Sequence, residues 1–214
     1  TSWGGTRIEP WTTPEGFASV EDAAVKAIGT NAVTQRKAYE DAAAKAKAEG
    51  KPAPNPGVGA GTPVALYNAN VAPIVPFAIK GALWYQGESN VGEGMKYHDR
   101  KTALIDGWRR TWGKDMPFYY VQIAPWSGYA ADALPGLWES QVASLSIPHT
   151  GMAVTTDLVD NIKDIHPQNK LDVGNRLALW ALAKTYGKKE IVYSGPLYKS
   201  MTIDGDKIKL SFAH

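Results

Sequence analysis

The sequence predicts an α/β domain in three layers, a parallel β-sheet with helices on both faces. Largely apolar runs at 79–85, 118–123 and 152–156 have strand length and are rich in β-branched and aromatic residues. Segments with helical spacing, at 95–112, 137–146 and 169–186, alternate with them. Strand alternating with helix requires crossover connections, and so a parallel sheet covered on both sides. The third observation is chemical. The run Trp84-Tyr85-Gln86-Gly87-Glu88-Ser89-Asn90 ends an apolar stretch abruptly in polar and glycine positions. A buried strand delivers side chains to a site at its carboxyl end in this way.

Taken in order, residues 1–19 read as a loop rich in Gly, Pro, Thr and Trp. Val20 to Gly50 is rich in alanine and lysine, strong helix formers, and reads as one or two helices. Its apolar side is mostly alanine, which suits a peripheral insert better than a core element. Lys51 to Pro63 holds four prolines and three glycines and reads as an irregular connector. In the helix at 95–112, Tyr97, Leu104, Ile105, Trp108 and Trp112 form one stripe. The helix at 169–186 buries Val173, Leu177, Trp180 and Ala181, with Asn169 as its N-cap and Gly187 as its stop. After Gly187 the texture changes. Asp204-Gly205-Asp206 separates two short runs, 198–203 and 207–212, which is a hairpin signal. The chain therefore divides into an α/β unit over 1–187 and the beginning of a β segment over 188–214.

Composition narrows the function. With 214 residues and 44% apolar content, one sizeable core is the default. A formal charge of +2, with lysines spread along the chain, gives no basis for binding nucleic acid or an anionic membrane. No apolar run reaches the ~20 residues of a membrane span. Zero cysteines excludes disulfides, a cysteine nucleophile and cysteine-based metal sites. Eight tryptophans, several beside polar motifs (Trp3, Trp11, Trp84, Trp126), suit either a sugar-binding cleft or the edge of a core.

His166 falls between the third strand and the last helix, just before Pro167. An imidazole held there faces the sheet's carboxyl edge, and its pKa near neutrality makes it the natural base for activating a hydroxyl. Asp164, two residues earlier, is the first choice to orient the ring, fix its tautomer and stabilise the imidazolium. Glu88 is the rival acid, with Asp157 and Asp160 behind it. Ser89 lacks the second glycine of a nucleophile elbow and reads as structural.

Together the Trp84–Asn90 run, the opening Ser2-Trp3-Gly4-Gly5-Thr6 and the later Asp164-Ile165-His166-Pro167 resemble the sialate O-acetylesterase family of SGNH-type hydrolases. The resemblance extends through Tyr67-Asn68, the 164–183 block and Tyr193-Ser194-Gly195-Pro196-Leu197. It implies an SGNH/flavodoxin-like sheet and hydrolysis of O-acetyl groups from sugars by a Ser-His-Asp/Glu mechanism. It implies that Gln86 supplies a side-chain donor to the oxyanion hole and that Gly4 and Gly5 supply backbone N–H groups. The general pattern puts the acid three residues before the histidine, where this chain has Lys163, so Asp164 and Glu88 both stand. Arg7 occupies a position where many relatives carry proline.

The family's catalytic serine belongs to a Gly-Gln-Ser-Asn-type motif upstream of the Trp-Gly-Gly-Thr segment, and no such motif occurs in these residues. The expectation is that the serine lies outside this chain, on a preceding segment or a second chain, and that the chain alone is inactive. The implied partner is an acetylated carbohydrate. No metal or organic cofactor is required, and a secreted or periplasmic setting is favoured. An acetylxylan-type esterase and a non-catalytic sugar-binding relative are the alternatives. A nucleotide-binding protein is disfavoured because no glycine-rich phosphate loop follows a strand.

Overall fold

A computed structural model describes residues 2–75 and 77–214. Strands β1 (Ala82–Trp84), β2 (Phe118–Val121) and β3 (Thr150–Ala153) form one parallel sheet in the order β1-β2-β3. Helices α3 (Lys96–Trp112) and α4 (Ala133–Ala143) make the two crossovers, and α5 (Lys170–Trp180) follows β3. The three-layer α/β arrangement expected from the alternation is the one observed.

Period-two alternation along β2 divides the core. Phe118 and Tyr120 point to the face covered by Tyr97, Leu104, Trp108 and Leu137 of α3 and α4. Tyr119 and Val121 point to the other face, under Val173, Leu177 and Trp180 of α5. All four β2 residues are buried, as a central strand of a covered sheet requires. Trp84 makes edge contacts with both Trp11 and Trp108, with ring centroids 6.0 and 5.9 Å apart. Trp11 and Trp84 thus serve the core, while Trp3 is exposed.

Several boundaries differ from the sequence reading. The strands are shorter than the apolar runs, and the third begins two residues earlier, at Thr150, where it comes into register with Phe118, and ends at Ala153, ahead of a 3₁₀ turn at Thr156–Leu158. Helix α4 starts at Ala133 rather than 137. Pro135 lies in its first turn, where the missing N–H removes no helical bond. Residues 1–19 are not all loop: α1 (Pro14–Ser19) is capped by the Thr13 hydroxyl, which accepts from Gly16 N at 2.9 Å. Helix α5 is capped by Asn169, which accepts from Asp172 N at 3.1 Å, and it continues into a π-helical turn at Ala181–Thr185.

The alanine-rich segment is one helix, α2 (Ala23–Ala48), with only Val25 and Gly29 buried. It lies at the periphery, as its alanine face implied. Strands β4 (Leu197–Asp204) and β5 (Lys207–Ala213) form the expected antiparallel hairpin. Its cross-strand pairs Met201–Leu210 and Ile203–Ile208 are exposed. Among the described residues no helix is long and apolar enough to cross a membrane.

Candidate active site at the carboxyl edge of the sheet

In a parallel sheet all strands end at the same edge, so the loops after β1, β2 and β3 converge there. The first carries Gln86 and Glu88, the second Trp126 and Tyr129, and the third Asp157, Asp164 and His166.

Gln86 is buried and fully bonded. Asn90 Oδ1 accepts from the Ile8 backbone N–H at 3.0 Å, which fixes that atom as an acceptor. Gln86 Nε2 therefore donates to it, at 2.7 Å, and also to the Thr6 carbonyl at 3.0 Å. The Tyr97 hydroxyl completes the set, 2.9 Å from Gln86 Oε1 and 3.0 Å from Gln86 O. Burial pushes that hydroxyl's pKa far above the ordinary tyrosine value, so it stays a donor. Both Gln86 amide protons thus bind inside the protein, and neither is directed at an external oxygen. This corrects the picture of Gln86 as a free oxyanion donor. In this arrangement it joins the opening glycine loop to the end of β1.

Gly4 and Gly5 are exposed, with open space around both. Gly5 has φ +68°, a left-handed conformation that glycine adopts without strain. The turn is held by Thr6 Oγ1, which donates to the Trp3 carbonyl at 2.9 Å, and by Ser89 Oγ, which donates to the Gly5 carbonyl at 3.0 Å. Ser89 is therefore a strut between two loops, consistent with its reading as structural. Gly87 is required by close approach, since a Cβ there would lie 2.5 Å from Ile123 Cδ1.

Beneath these loops lies a charged quartet that sequence reasoning missed. Glu9 pairs with Arg7 at 3.0 Å and Arg100 at 2.8 Å. Glu93 pairs with Arg100 at 2.7 Å and also contacts Arg7. Asn90 Nδ2 donates to Glu9 Oε2 at 3.3 Å, tying the quartet to Gln86. Burial acts to raise the Glu9 pKa, but hydrogen bonds from Arg7, the backbone and Asn90 outweigh it and hold the carboxyl below its usual value. Asn90, four residues after Gln86, was visible in the motif. Nothing in the sequence paired Glu9 with Arg100.

Glu88 is half-buried, and its Oε2 accepts from Gly87 N at 3.1 Å. Burial, with the Glu88 charge second, pushes the Tyr85 and Tyr129 hydroxyls up to about 12. Tyr129 packs edge-on against Trp126 at 5.0 Å, and Lys170 Nζ lies 4.9 Å from the Tyr85 ring centre. The first contact folds the loop after β2 on itself, and the second joins the start of α5 to the end of β1.

The His166 loop is pinned to the loop after β2. Ser127 N donates to the Ile162 carbonyl at 2.7 Å, and Trp126 Nε1 donates to the Lys163 carbonyl at 3.1 Å. His166 is exposed. Asp164 Oδ1 accepts from the His166 backbone N–H at 2.8 Å, an Asx turn that sets the main chain. Asp164 is thereby fixed beside the histidine. It orients the histidine's backbone, and among the described residues the imidazole itself makes no hydrogen bond or ion pair.

Asp157 is committed elsewhere. Both its oxygens receive Arg176 N–H groups at 2.6 Å, and that pairing lowers its pKa. His149 directly precedes β3 and pairs with Asp115 at 3.3 Å, which puts it at the opposite edge of the sheet. No cluster of three or more metal-ligating side chains occurs among the described residues.

Residues 1–183 match the family described as carbohydrate esterase, sialic acid-specific acetylesterase. This chain belongs to that family. Curated relatives include the sialate O-acetylesterases of Rattus norvegicus, 30% identical over 95% of this chain, and Homo sapiens, 29% identical over 100% of it. The chain spans 42% and 40% of those two proteins. The crystal structure of a novel carbohydrate acetylesterase from Xanthomonas citri superposes with a TM-score of 0.74 at 33% identity. That match covers 99% of this chain and 41% of the other. The family assignment takes in all three strands and every loop at their carboxyl edge. The β4–β5 hairpin lies beyond the matched residues.

Proposed function

We propose that this chain forms the bulk of a sialate O-acetylesterase-like unit that hydrolyses O-acetyl esters of sugars. The observation that carries the reading is the convergence of three loops at one sheet edge. The Trp126 indole joins the loop after β2 to the His166 loop, Gly87 packs closely on Ile123 at the end of β2, and Lys170 at the start of α5 lies over the Tyr85 ring.

A serine on a Gly-Gln-Ser-Asn-type segment outside residues 1–214 attacks the acetyl carbonyl, and His166 takes its proton. The tetrahedral oxyanion is met by backbone N–H groups of the Gly4–Gly5 loop. Gln86 joins them only by releasing Asn90 or Thr6. Collapse expels the sugar oxygen, which takes the proton from His166. Water, deprotonated by the same imidazole, then releases acetate. Asp164, or its rival Glu88, is the carboxylate that stabilises the imidazolium. The substrate is an acetylated carbohydrate, with acetylated sialic acid favoured by the family. A secreted or periplasmic setting follows from the same kinship.

The test is acetate release from O-acetylated sialic acid and from acetylated xylan. Residues 1–214 alone should release none above background, and adding a segment that carries the serine motif should restore turnover. Strong activity of the isolated chain, with a serine-reactive phosphonate labelling Ser2 or Ser89, would overturn the assignment of the nucleophile.

A further inference from the structure

Lys101 lies wholly inside the core. It projects from α3 between two tyrosine rings, with Nζ 3.5 Å from the Tyr120 ring centre and 4.9 Å from that of Tyr97. Among the described residues, no hydrogen-bond partner and no carboxylate meets this nitrogen. The side chain is fully enclosed, so nothing from outside the chain reaches it. A methionine would fill the same space without the cost of desolvating an amine, and a cation–π contact returns only part of that cost. A residue that breaks the rules of core composition in this way marks a functional constraint.

The two rings beneath the amine each hold one strand end. Tyr97 donates to Gln86, whose amide secures the Thr6 carbonyl and Asn90. The Tyr120 hydroxyl donates to the Gln141 carbonyl at 2.5 Å. Gln141 in turn accepts from Ile123 N at 3.1 Å and donates to the Val121 carbonyl at 3.2 Å. Both loops of the esterase edge therefore rest on rings that share one amine.

We propose that Lys101 is a positioning residue: seated on the Tyr120 and Tyr97 rings, it holds the Tyr97 hydroxyl under Gln86 and couples the ends of β1 and β2. Burial pushes its amine well below the usual lysine range. The amine directs its N–H groups at the ring faces while its four-carbon stem packs in the core. The inference rests on the proposed esterase reading only for its kinetic consequence. Its structural consequence is read from Gln86 directly.

The test follows the Gln86 side-chain amide protons by NMR in the 214-residue chain. In Lys101→Met, which keeps length and apolar volume, they should exchange about tenfold faster, as in Tyr97→Phe, because the hydrogen bond that orders the amide is weakened. In the active full-length protein kcat should fall by about tenfold with KM nearly unchanged. Unchanged exchange in a folded Lys101→Met chain makes the lysine core filling and overturns the proposal. Faster exchange with unaltered kcat keeps Lys101 as the positioning residue and removes Gln86 from the reaction.

If Lys101→Met does not fold, the wild-type chain decides. The Lys101 13Cε resonance and the Gln86 amide peaks should titrate with one shared midpoint. The facing titratable groups are Tyr97 and Tyr120, pushed far up by burial, with Glu9 and Glu88 acting on Tyr97. A midpoint reported by the Lys101 13Cε resonance itself and shared by the Gln86 peaks belongs to the lysine. Separate midpoints overturn the coupling.

Discussion

Trp126 Nε1 donates to the Lys163 carbonyl at 3.1 Å, so the loop after β2 holds the chain three residues before His166. Trp126→Phe keeps a ring against Tyr129 and removes that donor. Amide exchange across 161–166 should accelerate by about tenfold, the effect of losing one hydrogen bond of ordinary strength. Hydrogen–deuterium exchange measures it. Unchanged exchange would mean that the Ser127–Ile162 bond alone holds the loop.

The base is tested by His166→Ala in the full-length protein. Acetate release should fall about 10⁴-fold, the usual loss when a triad member is removed. Thermal stability should be nearly unchanged, because the exposed imidazole makes no hydrogen bond or ion pair among the described residues. Retained activity would pass the role to His98, since His149 sits at the far edge of the sheet.

Asp164 and Glu88 separate by their amides. Asp164→Asn keeps the Oδ1 that accepts the His166 backbone N–H, so the turn survives and only the charge is lost. If Asp164 stabilises the imidazolium, kcat falls strongly with KM unchanged, and Glu88→Gln acts more mildly. The reverse ranking hands the acid role to Glu88, whose charge helps to raise the Tyr85 and Tyr129 hydroxyls.

Glu9 governs the acid limb of stability. Its folded pKa lies below the usual 4.5. Its contribution is therefore fully present above about pH 4.5 and is lost as pH falls through the lower folded value. Glu9→Gln should destabilise the fold near neutrality, leaving Arg7 and Arg100 short of a charge partner, and should flatten the loss of stability below pH 4.5. Urea melts at several pH values would reveal the change of slope.

Gly87→Ala sets a methyl 2.5 Å from Ile123 Cδ1. The expected cost is about 1–3 kcal/mol of stability, typical of overpacking. Ile123→Val removes the colliding atom and should recover part of it. Additive losses in the double variant would place the strain in the Gly87 backbone instead.

Legibility differed by the range over which each interaction acts. The aromatic and β-branched run at 118–123 and the helical stripe of 95–112 depend on neighbours along the chain, so the sheet, its crossovers and the loops at its carboxyl edge could be read directly. The shift of β3 to Thr150 and the start of α4 at Ala133 were missed because register with Phe118 and a proline in a first turn weigh little in local pattern.

The site divides in the same way. Placement of Gln86, Glu88 and His166 at one edge follows from strand order and motif position, both local properties. What each side chain bonds to was decided across the fold. Thr6 and Asn90 take the Gln86 protons, a backbone N–H takes Asp164, and Arg100 meets Glu9 from 91 positions away. Hydrogen bonds and ion pairs are short-ranged in space and indifferent to separation along the chain. The sequence alone therefore determined the family, the sheet and the edge where the chemistry gathers. Only the packed structure decided which polar groups there are spent on one another and which are left to act.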